Sequence, residues 1–306
     1  MSAPVELSVS NICWSDRPLA QEEAVQALHN LGVGYVDLAP TKAWPEFATT
    51  GDVSPEEIDA YKRTLNGLEV AGFQSLTFGV DGKLFGDREG VEALSDRMHR
   101  VINLAHLVGA RTIIFGSPKT RGIPEGMSPD EVYDRAATFF EPLANLATDR
   151  GVVLGIEPVS PDYVQNGFGQ SAQDIIQFIA NLQAECAAGY PALVPDTWAM
   201  FHNGDMPYAA PREAAELNAL APHWQVSEKG MGYIGDGPTQ GEHTKFNIAL
   251  GYIADLVGAG VDGNGRPHNG PIILALEMNK LPDDQITSGL RRAVDYVREQ
   301  YPIVNS

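Results

Sequence analysis

Short apolar runs alternate with longer amphipathic stretches along this chain of 306 residues. Eight runs read as strands: Leu7 to Trp14, Tyr35 to Leu38, Gln74 to Phe78, Thr112 to Phe115, Val152 to Glu157, Ala192 to Asp196, Trp224 to Ser227 and Ile272 to Glu277. The clearest of them, Val152-Val153-Leu154-Gly155-Ile156 and Ile272-Ile273-Leu274-Ala275-Leu276, are apolar at successive positions. That pattern marks strands of a parallel sheet covered on both faces. Between and after the strands, a helical period runs from about Pro55 to Ala71, Val91 to Val108, Pro129 to Asp149, Ala172 to Leu182, Phe246 to Ala259 and Asp284 to Gln300.

The boundaries carry their own chemistry. Ser54-Pro55-Glu56-Glu57 and Ser128-Pro129-Asp130-Glu131 each place a serine cap, a proline at the first helical position and a glutamate at the third. Gly32, Gly72, Gly109 and Gly151 read as helix stops that precede strands. Strict strand–helix alternation allows a closed barrel or an open doubly wound sheet. Eight units in this length, with no Gly-x-Gly-x-x-Gly loop after the first strand, favour a (β/α)8 TIM barrel. No linker or composition shift interrupts the pattern, so residues 1–306 are expected to form a single domain.

Composition narrows the partners. The formal charge is −19, from 40 acidic against 21 basic residues, which argues against nucleic acid. No apolar stretch approaches a membrane span and the first residues lack a signal-like core, so no membrane partner and a cytoplasmic location are expected. A homo-oligomer is compatible with this reading. The two cysteines, Cys13 and Cys186, make no disulfide framework. Cys13 reads as a small buried residue or pocket wall.

Candidate chemistry gathers at strand ends. In a parallel α/β fold, sites are built beyond the strands' C-terminal ends. There the chain places Glu157, Asp196, Gln225 and Glu277, on strands five to eight. Taken singly, Asp196 also suits a helix N-cap. Together, three carboxylates and an amide form a hard oxygen-rich set suited to one divalent cation, Mn2+ first, with Mg2+ or Co2+ as alternatives.

These residues resemble the xylose-isomerase-like barrel superfamily of sugar phosphate isomerases and epimerases. The superfamily includes ketose 3-epimerases, hydroxypyruvate isomerase, inosose-converting enzymes and the family-2 apurinic endonucleases. The resemblance rests on Gly155-Ile156-Glu157-Pro158, Asp196-Thr197, His223-Trp224-Gln225-Val226-Ser227 and Glu277. It implies that Glu157, Asp196, Gln225 and Glu277 ligate the metal and that Glu157 and Glu277 act as the acid/base pair. Gln225 is similar to the hydroxypyruvate isomerase ligand, where the ketose epimerases commonly have histidine. The substrate-contacting histidine that follows the strand-six aspartate by three residues in the epimerases is Ala199 here, with His202 nearby as an alternative. The endonucleases' histidine-rich multi-zinc pattern is missing.

Other loops offer substrate contacts. Lys42 and Trp44 follow strand two, as a sugar-facing pair or as a surface lysine and a core-rim tryptophan. Ser117, Lys119 and Arg121 follow strand four in Gly116-Ser117-Pro118-Lys119-Thr120-Arg121, where fixed charge and amide donors suit a phosphate or carboxylate. The loop from Glu228 to Glu242, with Lys229, Tyr233 and Asp236, is long enough to cover the mouth. His243 is a candidate neighbour of the metal, and the insertion with Arg266 and His268 is expected at the opposite end. The expected reaction is proton transfer next to a carbonyl of a small carbohydrate through an enediolate, giving an isomerase or epimerase. A lyase using the same proton abstraction and a non-catalytic sugar-binding barrel are the competing readings.

Overall fold

The computed structural model describes residues 3–185, 189–206, 209–228, 232–234, 247–248, 250–251, 254 and 270–305. Eight parallel strands form one sheet: β1 (Val5–Ser10), β2 (Tyr35–Leu38), β3 (Glu69–Phe73), β4 (Thr112–Phe115), β5 (Val153–Ile156), β6 (Ala192–Leu193), β7 (His223–Val226) and β8 (Ile272–Leu276). Their spatial order is β6-β5-β4-β3-β2-β1-β8-β7. Parallel bridges Leu193–Leu220 and Asp196–Gln225 join the two ends of that order. The Gln225 amide donates to the Pro195 carbonyl at 2.8 Å, so the seam between β6 and β7 is hydrogen-bonded at the level of two of the site residues. The sheet is thus curled into the expected (β/α)8 barrel.

Period-two alternation explains why these sequences form the barrel wall. Val5, Leu7 and Val9 join the large core between sheet and helices, as do Val36 and Leu38. The inward positions are divided. Ile114, Val153, Ala192, Val194 and Ala221 make one small apolar cluster, and Ala71, Ile273 and Ala275 make another. The rest of the interior is polar. Buried Asp37 accepts a hydrogen bond from Ser8 Oγ at 2.8 Å and lies 2.9 Å from His223 Nε2. Gln74 donates to Ser10 Oγ.

Helices pack outside at Pro18–Asn30, Pro55–Thr64, Arg88–Val108, Pro129–Asp149, Ala172–Ala184 and Ile286–Gln300. Ser54 and Ser128 cap their helices as expected, accepting from Glu57 N and Glu131 N. Gly32, Gly109 and Gly151 take φ of +68°, +89° and +69°, the left-handed backbone that ends a helix. Among the described residues, no helix is long and apolar enough to cross a membrane.

Four expectations are corrected. The first strand ends at Ser10 and continues as a 3-10 turn, Asn11–Cys13, because Ser10 Oγ accepts from the Ile12 amide and turns the chain. The helix beginning at Pro55 stops at Thr64, and the left-handed residues Asn66 and Gly67 follow it. β3 therefore lies at Glu69–Phe73, and Gln74 to Phe78 forms the loop beyond it. Gly72 is a strand glycine, not a stop. A Cβ there would sit 2.8 Å from His223 Cε1 and 3.2 Å from the Thr112 carbonyl oxygen. Gly72→Ala should destabilise the fold by about 1–3 kcal/mol through overpacking beside a buried ring, measured by urea unfolding. Most of the expected helix at 246–259 and most of the loop at 228–242 lie outside the described residues, as do Cys186, Lys229, Asp236, His243, Arg266 and His268.

Candidate functional site

The candidate ligands sit at or just beyond the C-terminal ends of buried strands, with Gln225 inside β7 and the three carboxylates after β5, β6 and β8. Glu157 follows β5 and Glu277 follows β8; their backbone amides still donate to Phe115 O at 3.4 Å and Val226 O at 3.0 Å. The carboxylates are therefore anchored by ladder hydrogen bonds of neighbouring strands. Asp196 follows β6 and caps the helix Thr197–Asn203, its Oδ1 accepting from the Ala199 amide at 2.6 Å. Its Oδ2 accepts from Ser227 Oγ at 2.7 Å. The cap leaves Asp196 within the carboxylate cluster, so one side chain both caps the helix and faces Glu157 and Glu277.

One oxygen from each of Glu157, Asp196 and Glu277 lies within 4.8 Å of the others. Gln225 joins them through its Nε2, which donates to Glu277 Oε2 at 3.0 Å. Its Oε1 is buried and has no hydrogen-bond partner. A buried orphan acceptor costs about 1–3 kcal/mol. Turning the amide presents that oxygen to the carboxylate cluster and completes a four-oxygen set. The residues present thus fit one hard divalent cation.

Electrostatics agree. Burial, then the charges of Glu277 and Asp196, hold Glu157 well above the ordinary carboxylate range, against the pull of Arg121. Burial, Asp196 and Asp37 push Glu277 up to about 8. Burial raises Asp196 to about 6 despite hydrogen bonds from Ala199, Ser227 and Trp198 that favour its charged form. Three converging carboxylates in a low-dielectric mouth need a proton or a cation.

The surrounding residues give this cluster its shape. Gly116 lies against Glu157: an added Cβ would be 2.7 Å from Oε2, so only glycine leaves the carboxylate in place. Ser117 follows in left-handed backbone, φ +30° and ψ +61°, a strained conformation for a residue with a side chain. The cavity above the carboxylates has a volume of about 440 Å3. Ser117 and Lys119 line it, as expected of them.

Four expected substrate residues are placed elsewhere. Arg121 is fully buried; its Nη1 donates to the Glu157 carbonyl at 2.9 Å and its guanidinium lies 6.0 Å from the Phe115 ring centre. Trp44 is a core residue 5.1 Å from the Tyr61 ring and 6.3 Å from the Phe73 ring. Lys42 bonds the Trp14 carbonyl and pairs with Asp16 at 3.1 Å, on a smaller cavity that shares Ser75 and Phe78 with this one. His202 packs edge-on to Trp198 and sits 3.7 Å from Asp162. In each case a partner distant in sequence takes the side chain. Cys13 is buried against the Met278 carbonyl, and burial pushes its thiol up to about 12, which leaves it unreactive.

Conversely, the cavity gains residues the sequence reading passed over: Gln74, Phe78, Tyr163, Trp198, Ser227 and Glu228. Ser227 and Glu228 carried a usable signal, because they directly follow β7.

A family model described as xylose isomerase-like TIM barrel matches residues 25–253. A sequence search of curated proteins finds no match. Among solved structures, an L-ribulose 3-epimerase superposes with a TM-score of 0.72 at 16% identity, covering 100% of this chain and 96% of that one. D-Psicose 3-epimerase from Clostridium cellulolyticum H10, solved with D-tagatose, gives 0.69 at 14% identity, with coverage of 98% and 99%. The IOLI protein, solved with a zinc atom, gives 0.65 at 11% identity, with coverage of 97% and 99%. At such identities the likeness is one of fold.

Proposed function

The chain belongs to the xylose isomerase-like TIM barrel family, and from that premise we propose that it is a divalent-metal-dependent sugar isomerase or epimerase working by proton transfer next to a carbonyl. The observation that carries this reading is the cluster of Glu157, Asp196 and Glu277 with the orphaned amide oxygen of Gln225 beside it. The epimerase names of two structural neighbours support the carbohydrate class. Glu157, Asp196, Gln225 and Glu277 would hold the cation. When bound, it supplies a Lewis acid that polarises the substrate carbonyl and offsets the negative charge developing there. IOLI was solved with zinc. The present donor set is all oxygen, which favours Mn2+ or Mg2+.

The chain's own residues then divide the proton work. Burial and neighbouring carboxylates raise both Glu157 and Glu277, and Arg121 opposes the rise at Glu157 alone, so Glu157 is assigned as the base. Asp37 backs Glu277 and favours its protonated form, so Glu277 is the acid. Glu157 removes the proton next to the carbonyl. Glu277 returns a proton to the opposite face in epimerisation or to the neighbouring carbon in isomerisation.

The test is solvent exchange. Purified protein with Mn2+ is incubated with a panel of ketoses in D2O and followed by NMR. Deuterium should appear at the carbon next to the carbonyl of at least one substrate or its epimer. An unsaturated product without an epimer would assign the site to a lyase instead. Bound Mn2+ with no exchange and no product on any sugar would leave a binding protein and end the proposal.

A further inference from the structure

Beyond naming a sugar, the cavity bears on what the sugar carries. Six large hydrophobic side chains among the described residues are exposed, and two of them, Phe78 at 70% and Tyr163 at 49%, line this one cavity. Exposed aromatic surface rimmed by polar groups marks a binding surface more often than chance. Phe78 lies in the loop beyond β3 and Tyr163 in the loop beyond β5, so two separate loops bring them to the same mouth. Trp198, on the helix that Asp196 caps, adds a third ring, and Val80, Pro118 and Val159 fill the wall between. Tyr163 is close enough to the carboxylates that their charges help raise its phenol above the ordinary range, after burial as the main cause. The aromatic wall is therefore continuous with the polar floor.

Charge narrows the ligand further. The described lining carries five carboxylates, Asp81, Glu157, Asp196, Glu228 and Glu277, and one cation, Lys119. With Glu277 protonated, a divalent ion and Lys119 leave this described lining with no excess of positive charge. Arg121 is turned to the Glu157 carbonyl, and Lys42 pairs with Asp16 outside the cavity. Among the described lining residues a phosphorylated or acidic sugar would find one cation, Lys119. At about 440 Å3 the cavity falls within the roughly 300–1,000 Å3 that hold drug-sized ligands, with room for a second ring beside a sugar.

We propose that the substrate is an uncharged sugar that carries both a carbonyl and an aryl substituent, an aryl ketoglycoside, with its sugar ring on the carboxylate floor and its aryl ring against Phe78, Tyr163 and Trp198. The inference rests on the proposed carbohydrate reading of that floor. Aromatic pairs of this kind are stabilised beyond their buried area, by an amount that converts to about tenfold in affinity.

Isothermal titration of the full chain, with and without Mn2+, tests it with three probes: phenyl β-D-glucopyranoside, methyl β-D-glucopyranoside and glucose 6-phosphate. The phenyl glucoside should bind about tenfold or more tightly than the methyl glucoside, and the phosphate most weakly. Phe78→Ala with Tyr163→Ala, both exposed and so compatible with folding, should bring the phenyl-to-methyl ratio to within threefold while Mn2+ affinity is unchanged. Equal binding of the two glucosides, tighter binding of the phosphate, no binding of any probe, or a ratio insensitive to the double substitution overturns the proposal. Failure of the metal reading looks different: Mn2+ would not bind, yet the aryl preference would persist.

Discussion

Glu157→Gln and Glu277→Gln should each lower kcat by about a thousandfold, within the ~10²–10⁴ range seen when a general acid or base is removed. An amide occupies nearly the same space but can neither take nor give the proton. The two variants should differ in what survives. If Glu157 is the base, Glu157→Gln abolishes deuterium exchange in D2O. Glu277→Gln should still exchange the substrate proton slowly, because abstraction is intact and only delivery is lost. Full activity in either variant on an identified substrate would remove that residue from the mechanism. Exchange retained in Glu157→Gln and lost in Glu277→Gln would reverse the assignment. The assignment follows from Arg121, which opposes the rise at Glu157, and from Asp196 and Asp37, which add to burial at Glu277.

The second large effect is on stability, and it runs with pH. Metal-free protein should lose stability from about pH 4 to pH 8. The ordinary values of Asp196 and Glu277 are 3.8 and 4.5, and in the folded chain they rise to about 6 and about 8, chiefly through burial. A carboxyl raised on folding contributes stability that is complete below its ordinary value and disappears as pH passes through the raised one. The decline therefore comes from ionising buried acids that repel one another. A divalent cation removes the cause, so its stabilisation should grow as pH rises. At a hundredfold excess over Kd it should add about 2.7 kcal/mol, about 4 °C in Tm for a chain of this size. Thermal melts at pH 5.5 and 8.5, with EDTA and with Mn2+, measure it. Glu277→Gln should flatten the metal-free decline, since it removes one of the buried acids. A Tm gain from Mn2+ that is absent, or larger at pH 5.5 than at pH 8.5, would exclude the carboxylate cluster as the metal centre.

Legibility of the sequence varied with how local each signal was. Pro129–Asp149 was readable to both ends because Ser128, Pro129 and Gly151 act within a turn of the residues they punctuate. β3 was not. Gly72 reads as a helix stop in isolation, and its actual role, making room for the His223 ring, belongs to a strand 151 residues further along. Asn66 and Gly67 held the true stop signal, but the apolar residues beyond them continued a helical period.

The site divided in the same way. Glu157, Asp196, Gln225 and Glu277 were visible because a polar residue ending an apolar run is a local anomaly with one economical explanation. Arg121 looked like an anion ligand because its neighbours in the chain were Gly116, Ser117 and Lys119. In the fold it is buried behind Glu157, where it donates to the main-chain carbonyl of that residue instead of lining the cavity. Trp44 was taken by Tyr61 and Phe73, and Lys42 by Trp14 and Asp16. Phe78 and Tyr163 carried no signal at all, since a lone aromatic in a loop is unremarkable until a second one faces it.

The sequence by itself determined the strand count, the parallel barrel and the oxygen-rich set of residues near the strand ends, because period, caps and strand-end charges depend on neighbours a few residues away. Only the tertiary structure decided which loop residues face the cavity, which carboxylate is backed by a cation and which by another acid, and where the aromatic rim lies. Those properties depend on distances between strands and loops remote in the chain, and closing the barrel is what sets those distances.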